Sequence, residues 1–279
     1  MRIIQTDGIG KAVYDSLMEI NFVLPNDVKE KIGNQIEIEE SARAKSILAK
    51  IEENYLLSET KRIPLCQDTG MVVVFLEIGQ GVLLEGDYIE DVINRNVAKA
   101  YMDGYLRKSI VSPLIRKNTK DNTPAIVHYN IVPGDEVKIS VVIKGFGSEN
   151  MSRMILLKPS DGLDGVLDFV VDAVKKAGPN PCPPIILGVG IGGTIEKAAL
   201  MAKHALLREL DSVNEDEEAR KIEETLMKRV NSLNIGPMGM GGNTTALGVH
   251  VEMFPTHIAG LPVVVNINCH SSRHKEIVL

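Results

Sequence analysis

Residues 184–210 read PIILGVGIGGTIEKAALMAKHALLREL. The apolar run Pro184 to Val189 has the length of a strand, glycines follow it, and the segment from about Thr194 to Leu210 has the pattern of a helix. A strand that turns on glycine into a helix is the building unit of α/β proteins. Gly188, Gly190 and Gly193 also satisfy G-x-G-x-x-G. A dinucleotide fold would place an acidic residue at the end of a second strand about 20 residues further on. Here that region is the helix LLREL running into DSVNEDEE. The glycines are therefore expected to make a tight strand-to-helix turn whose free backbone N–H groups meet a ligand, with a nucleotide-binding module as the lesser alternative.

The same alternation extends outward on both sides. Val13, Leu17, Ile20 and Leu24, then Ala42, Ala44, Ile47, Leu48 and Ile51, recur at three- and four-residue spacing and predict a helical N-terminal region over the first 60 residues. Gly70 to Ile78 is a β-branched run of strand length, and a helix is expected from Ile89 to Leu106. Ala125 to Ile131 and Glu136 to Ile143 are strand candidates joined through Pro133-Gly134-Asp135, which reads as a hairpin. Helices are expected over 162–177 and from the acidic stretch Asp211–Arg220 to about Val230. Thr245 to Glu252 and Leu261 to Ile267 are the last strands. No repeat or linker interrupts the chain, so the expectation is one α/β domain over 1–279 with a mixed β-sheet flanked by helices.

Apolar residues make up 44% of the 279 and charged residues 24%, enough to bury a large core. The net charge is −6 and no stretch gathers the basic residues, which argues against nucleic acid as a partner. No run approaches the length of a membrane span and no apolar leader follows the N-terminus, so the expected location is the cytoplasm.

The three cysteines, Cys66, Cys182 and Cys269, are too few for a disulfide scaffold. Each lies in a turn rich in polar or special residues, PLCQDTG, NPCPP and INCHSSRH, whereas buried core cysteines usually sit inside apolar segments. Three thiolates from three loops are able to hold one iron–sulfur cluster without any local spacing. Three ligands leave one iron of a cubane open, and an open iron is a Lewis acid. The histidines form no HExxH or Cys/His ladder of the kind that binds zinc. A second glycine cluster, GPMGMGGNTTALG over 236–248, lacks the ending of a phosphate-binding loop; it implies sharp turns or a close backbone approach, or else a flexible surface loop.

PLCQDTG, YLRKS, KGFGSENMS, GVGIGGTIEKAALMAKHAL, GPMGMGGNTTALGVHVE and PTHIAGLPVVVNINCHSSRH occur in this order, spanning most of the chain after Leu57. In these segments the sequence resembles the N-terminal portion of the iron-dependent hydro-lyases of the class I fumarase and L-tartrate dehydratase family. The resemblance implies that Cys66, Cys182 and Cys269 ligate a [4Fe–4S] cluster with one open iron site. It implies further that Gln67 and Asp68 contact substrate, with Asp68 as the acid that helps the hydroxyl leave, although an Asx-turn aspartate before Gly70 would also use Asp68. Arg107 matches a carboxylate-binding arginine and His257 an active-site histidine, against the bland alternatives of a surface arginine and a buried, satisfied histidine. The backbone at Gly145 and Gly147 is expected to line the site; Phe146 stands where the family usually has glycine, so no N–H contact is rested on it. The implied activity is reversible addition of water to fumarate to give (S)-malate, with L(+)-tartrate dehydratase as the alternative and a noncatalytic scaffold as the reading from a different class. Two-subunit members divide where this chain stops, which implies a separate β subunit, an α2β2 assembly and a small dicarboxylate substrate.

Overall fold

The computed structural model describes all residues, Met1–Leu279. In chain order the elements are β1 (Arg2–Gln5), α1 (Thr6–Ile20), α2 (Asn26–Ile38), α3 (Ala42–Lys61), β2 (Met71–Gly79), β3 (Val82–Glu85), α4 (Ile89–Asp103), β4 (Ile126–Val132) and β5 (Val137–Lys144). There follow α5 (Phe146–Glu149), β6 (Arg153–Leu157), α6 (Gly162–Ala177), β7 (Ile185–Gly192), α7 (Ile195–His204), α8 (Glu217–Asn231), β8 (Ala246–Phe254), β9 (Leu261–Asn268) and β10 (Arg273–Val278). The chain divides into two compact units. Unit 1 takes residues 1–25, 55–146 and 273–279, and unit 2 takes 26–54 and 147–272. The α/β class, the mixed sheet flanked by helices and the helical N-terminal region all hold, with a mixed sheet in each unit and a short strand ahead of the first helix. No helix is long and apolar enough to cross a membrane.

In unit 1 the four-stranded sheet has the order β10-β5-β2-β4. Its centre is β2, whose Val72, Val73, Val74, Phe75 and Leu76 are all buried, so both faces of this strand are covered. α1 turns Ile9, Val13, Leu17 and Ile20 to the core and α4 adds Val92, Ile93, Val97 and Tyr101. The expected hairpin does not form. β2 lies between the two strands, parallel to β4 and antiparallel to β5. The Pro133-Gly134-Asp135 turn instead receives the end of β2: Gly79 N–H donates to Glu136 C=O, Gln80 N–H to Val132 C=O and Gly81 N–H to Gly134 C=O. A strand this apolar is stable only with a hydrogen-bonded neighbour on each edge, and that requirement overrides local pairing.

In unit 2 the order is β6-β9-β7-β8, with β7 and β8 parallel. α8 buries Ala219, Ile222, Leu226 and Val230 against this sheet. It begins later than the acidic run suggests, because Asp216 is the N-cap and its carboxylate accepts from Glu218 N–H at 2.9 Å and Ala219 N–H at 3.1 Å. The helix expected to reach Leu210 stops at His204 and tightens into a 3₁₀ turn over Ala205–Leu207.

The G-x-G-x-x-G stretch also differs from expectation. Gly188 and Gly190 lie inside β7 rather than in a turn, and a Cβ on either would stand 2.0 Å from a carbonyl oxygen of α7, that of Ala202 or Ala198. Their small size lets α7 pack directly on the strand backbone. The turn itself is made by Gly192 and Gly193, at φ 91° and 65°. With two of its glycines committed to helix packing, the motif does not present the phosphate-binding turn of a dinucleotide fold.

The second glycine cluster makes a close approach. Gly242, at φ 114°, passes where a Cβ would lie 2.5 Å from Ala44 Cβ and 3.0 Å from Glu39 Oε1. The buried Glu39 carboxylate accepts from the N–H groups of Ser41, Asn243 and Thr244 and from the Thr244 hydroxyl, at 2.7–3.1 Å. Burial alone would raise its pKa, but these four donors outweigh it and hold the carboxyl below its ordinary value of 4.5. A depressed folded-state pKa contributes stability above about pH 4.5 that is lost as pH falls through the folded value. Glu39→Gln is therefore expected to cost about 1–3 kcal/mol at pH 7, with the gap to the wild type closing as the pH falls below about 4.5. Denaturant unfolding of both proteins at pH 7 and pH 4 measures it; a gap independent of pH would contradict the assignment.

Candidate active site

The residues singled out in the sequence fall into two groups, one in each unit. In unit 1, the chain between α3 and β2 carries Cys66, Gln67 and Asp68. Cys66 and Asp68 are half-buried and Gln67 is exposed. The amide of Asp68 donates to Cys66 Sγ at 3.4 Å. The Asp68 carboxylate accepts from Gly70 N–H at 3.0 Å, an Asx-turn as the bland reading requires. Its other oxygen accepts from Phe146 N–H at 2.8 Å. The Asx-turn and a directed carboxylate are thus properties of the same side chain. The residue discounted as a donor does donate, but to Asp68. Gly145 is buried beside it, and a Cβ there would stand 3.2 Å from Asp68 Oδ2.

Three buried side chains hold this segment by its carbonyl oxygens. Arg273 Nη2 donates to Asp68 C=O at 2.7 Å. The Tyr101 hydroxyl donates to Thr69 C=O and to Gly70 C=O, and Asn122 Nδ2 donates to Gly70 C=O at 3.2 Å. Burial pushes the Tyr101 phenol up, opposed by the charge of Arg273 and reinforced by that of Asp68, so the hydroxyl stays a donor. Arg107 lies on the exposed chain after α4, and its carbonyl accepts from Thr69 Oγ1 at 2.6 Å. Asn122 Oδ1 fixes the following residues by accepting from Ser109 N–H at 2.7 Å and Ile110 N–H at 3.3 Å. Cys66, Gln67, Asp68 and the backbone of Arg107 therefore belong to one hydrogen-bonded constellation, with Gly145 packed beside it.

In unit 2, Cys182 follows α6 in a left-handed conformation, φ 54°, that its N–H bond to Pro179 C=O at 3.1 Å closes. Its carbonyl pairs with His270 Nδ1 at 2.9 Å, which ties it to the residue after Cys269. Asn268 Nδ2 donates to Ser272 Oγ at 3.1 Å across the Cys269 turn. Gly147 runs beside the Cys182 turn, where a Cβ would be 3.7 Å from Asn180 C=O. His257 is exposed on the loop between β8 and β9, its Nδ1 accepting from Ala259 N–H at 3.2 Å, so the reading as a buried, satisfied histidine does not hold. No three His, Cys, Asp or Glu side chains converge to hold a single metal ion.

Tyr101, Asn122, His270 and Arg273 were not anticipated as site residues. Tyr101 looked like any helical core position, and Asn122 lay in a polar loop. Arg273 sat in plain view within CHSSRH, where a buried arginine gives no periodic signal.

None of the three cysteines is in a disulfide, and all three are partly exposed on loops between regular elements. Residues 10–278 match the family model described as fumarate hydratase (Fumerase). The chain is 41% identical over 271 residues to a protein named putative L(+)-tartrate dehydratase subunit alpha from Methanocaldococcus jannaschii, covering 95% of each. It is 31% identical over 260 residues to the L(+)-tartrate dehydratase subunit alpha of Escherichia coli K12, covering 92% of this chain and 86% of that one. These matches define the class of the protein as an enzyme, a hydro-lyase. The chain belongs to the fumarate hydratase (Fumerase) family.

Proposed function

We propose that this chain is the α subunit of an iron–sulfur hydro-lyase that adds water reversibly across the C=C bond of a small dicarboxylate. The observation that carries the reading is the donor set. Cys66, Cys182 and Cys269 are loop cysteines outside any disulfide, in a chain of the fumarate hydratase family. Soft thiolates suit iron–sulfur ligation. An amide that already donates to Cys66 Sγ, as Asp68 N–H does, is the kind of second interaction that stabilises a ligating thiolate. When bound, a [4Fe–4S] cluster with one open iron supplies a Lewis acid for the hydroxyl and a carboxylate of the substrate.

The remaining chemistry falls to protein side chains. In the dehydration direction Asp68 passes a proton to the departing hydroxyl, and in the hydration direction it takes one from water. The amides of Gly70 and Phe146 fix where its carboxylate points. Gln67, exposed next to it, contacts the substrate. The exposed Arg107 guanidinium has the planar fork that receives a carboxylate on two parallel bonds. His257 orients the hydroxy acid, and the backbone at Gly145 and Gly147 lines the site. The base at the neighbouring carbon comes from a separate β subunit, as the name "subunit alpha" of the relatives suggests, and the assembly is α2β2.

Two substrate readings have equal support. The description of the family favours fumarate and (S)-malate, and the names of the relatives favour L(+)-tartrate. Anaerobic reconstitution of the chain with its partner, followed by visible and EPR spectroscopy, tests the cluster. Each Cys→Ser variant is expected to lose the wild-type signal. Turnover of malate against tartrate by the assembled enzyme then selects the substrate. A full cluster in all three variants, or strong turnover by the isolated chain, overturns the proposal.

A further inference from the structure

The largest fully buried side chain of the protein is a cation. Arg273 opens β10 and is 1% exposed. Its backbone pairs with Ile143 of β5, which pairs in turn with Val72 at the start of β2. The side chain thus lies under the segment that enters β2 from Cys66. One of its nitrogens, Nη2, holds Asp68 C=O at 2.7 Å. The other two, Nε and Nη1, are buried with no hydrogen-bond partner.

Strand packing does not account for this residue. A buried guanidinium is desolvated at a cost, and unpartnered N–H groups add to it, so an apolar side chain would serve the sheet better. What the guanidinium reaches in unit 1 is the peptide carbonyl of Asp68, with that residue's carboxylate nearby. A methyl group on Gly145 would lie 3.2 Å from Asp68 Oδ2 and 3.7 Å from Arg273 Nη2, so the two charged groups flank one glycine.

We propose that Arg273 is a positioning residue for Asp68. From inside unit 1 it fixes the carbonyl of Asp68, while Tyr101 and Asn122 fix those of Thr69 and Gly70. With these carbonyls bound, the Asp68 amide stays on Cys66 Sγ and the carboxylate stays on the amides of Gly70 and Phe146. Arg273 does not touch substrate; it acts through the peptide bond of Asp68. The catalytic part of this inference rests on the reading of Asp68 as the proton-transfer residue.

The test uses the assembled enzyme carrying Arg273→Met, which keeps the length and removes the charge and donors, and Arg273→Lys, which keeps the charge on a single donor nitrogen. In Arg273→Met, amide exchange over residues 65–71 is expected to speed up at least about tenfold while 137–144 stays protected. Its kcat is expected to fall by about 10²-fold, the scale of a misplaced catalytic group, with KM changed by less than about threefold. Arg273→Lys is expected to recover at least about a tenth of wild-type kcat, and it serves for the exchange measurement too if the Met variant fails to fold. Unchanged exchange over 65–71 overturns the proposal, and so does a loss confined to KM, which would make Arg273 a direct substrate anchor. Should the wild type hold no iron, the functional reading fails, yet the exchange experiment still decides whether Arg273 holds the loop.

Discussion

On the proposed role of Asp68 as general acid, Asp68→Asn is expected to lower kcat of the assembled enzyme by about 10²–10⁴-fold without loss of the proposed cluster. Asparagine keeps an oxygen for the Gly70 amide that Asp68 Oδ1 accepts at 3.0 Å. It puts an NH2 group where Oδ2 accepts from Phe146 N–H at 2.8 Å, so one short bond is lost, at a cost of about 1–2 kcal/mol. The segment survives that loss, since Arg273, Tyr101 and Asn122 hold its carbonyls independently of the side chain. Activity and structure should therefore separate: a wild-type EPR signal with a large fall in kcat. A variant that keeps more than about a tenth of wild-type kcat would assign the proton to another group.

Gly190→Ala is expected to be among the most destabilising single methyls in the chain. Its Cβ would meet Ala198 C=O at 2.0 Å, with Ala198 C and Ala202 N at 2.9 Å. All three are backbone atoms of α7, so no side chain can swing aside, and relief requires moving the helix off the sheet. The cost is put at about 3 kcal/mol or more, the upper end for overpacking. Gly8→Ala is the control. It adds the same methyl inside α1 with nothing within 4 Å, and should be neutral or stabilising by about 0.5–1 kcal/mol. Thermal unfolding of the two variants beside the wild type measures the contrast; a mild Gly190→Ala would mean that α7 is free to shift.

This glycine shows where reading the sequence reaches its limit. The motif at 188–193 signals a strand, a turn and a helix, and all three are present. Which glycine turns and which packs depends on how near α7 lies to β7, and that distance is a tertiary quantity. The same holds for β2. Its apolar run announced a buried strand, but its place between β4 and β5 follows from the demand for neighbours on both edges, which no local pattern encodes. The short strands β1, β3, β6 and β10 escaped notice because each has only four to six residues and lacks clean alternation.

The candidate site was legible to the extent that its chemistry is carried by unusual residues in unusual places. Cysteines in polar turns stand out, and Cys66-Gln67-Asp68 could be read together. The residues that hold them could not. Tyr101 sits at a helical core position, Asn122 in a polar loop and Arg273 at the start of an edge strand, and their roles emerge only from what their side chains reach.

The sheet of unit 1 has a consequence for how the protein is made. Its edge strand β10 is supplied by residues 273–278, after the whole of 147–272 has been synthesised. On a ribosome, β5 must wait with one edge unpaired while unit 2 emerges, an arrangement that slows assembly and leaves a strand open to wrong partners. Arg273 arrives with that closing strand. The segment bearing Asp68 therefore gains its last fastening only after the whole of 147–272 has been made.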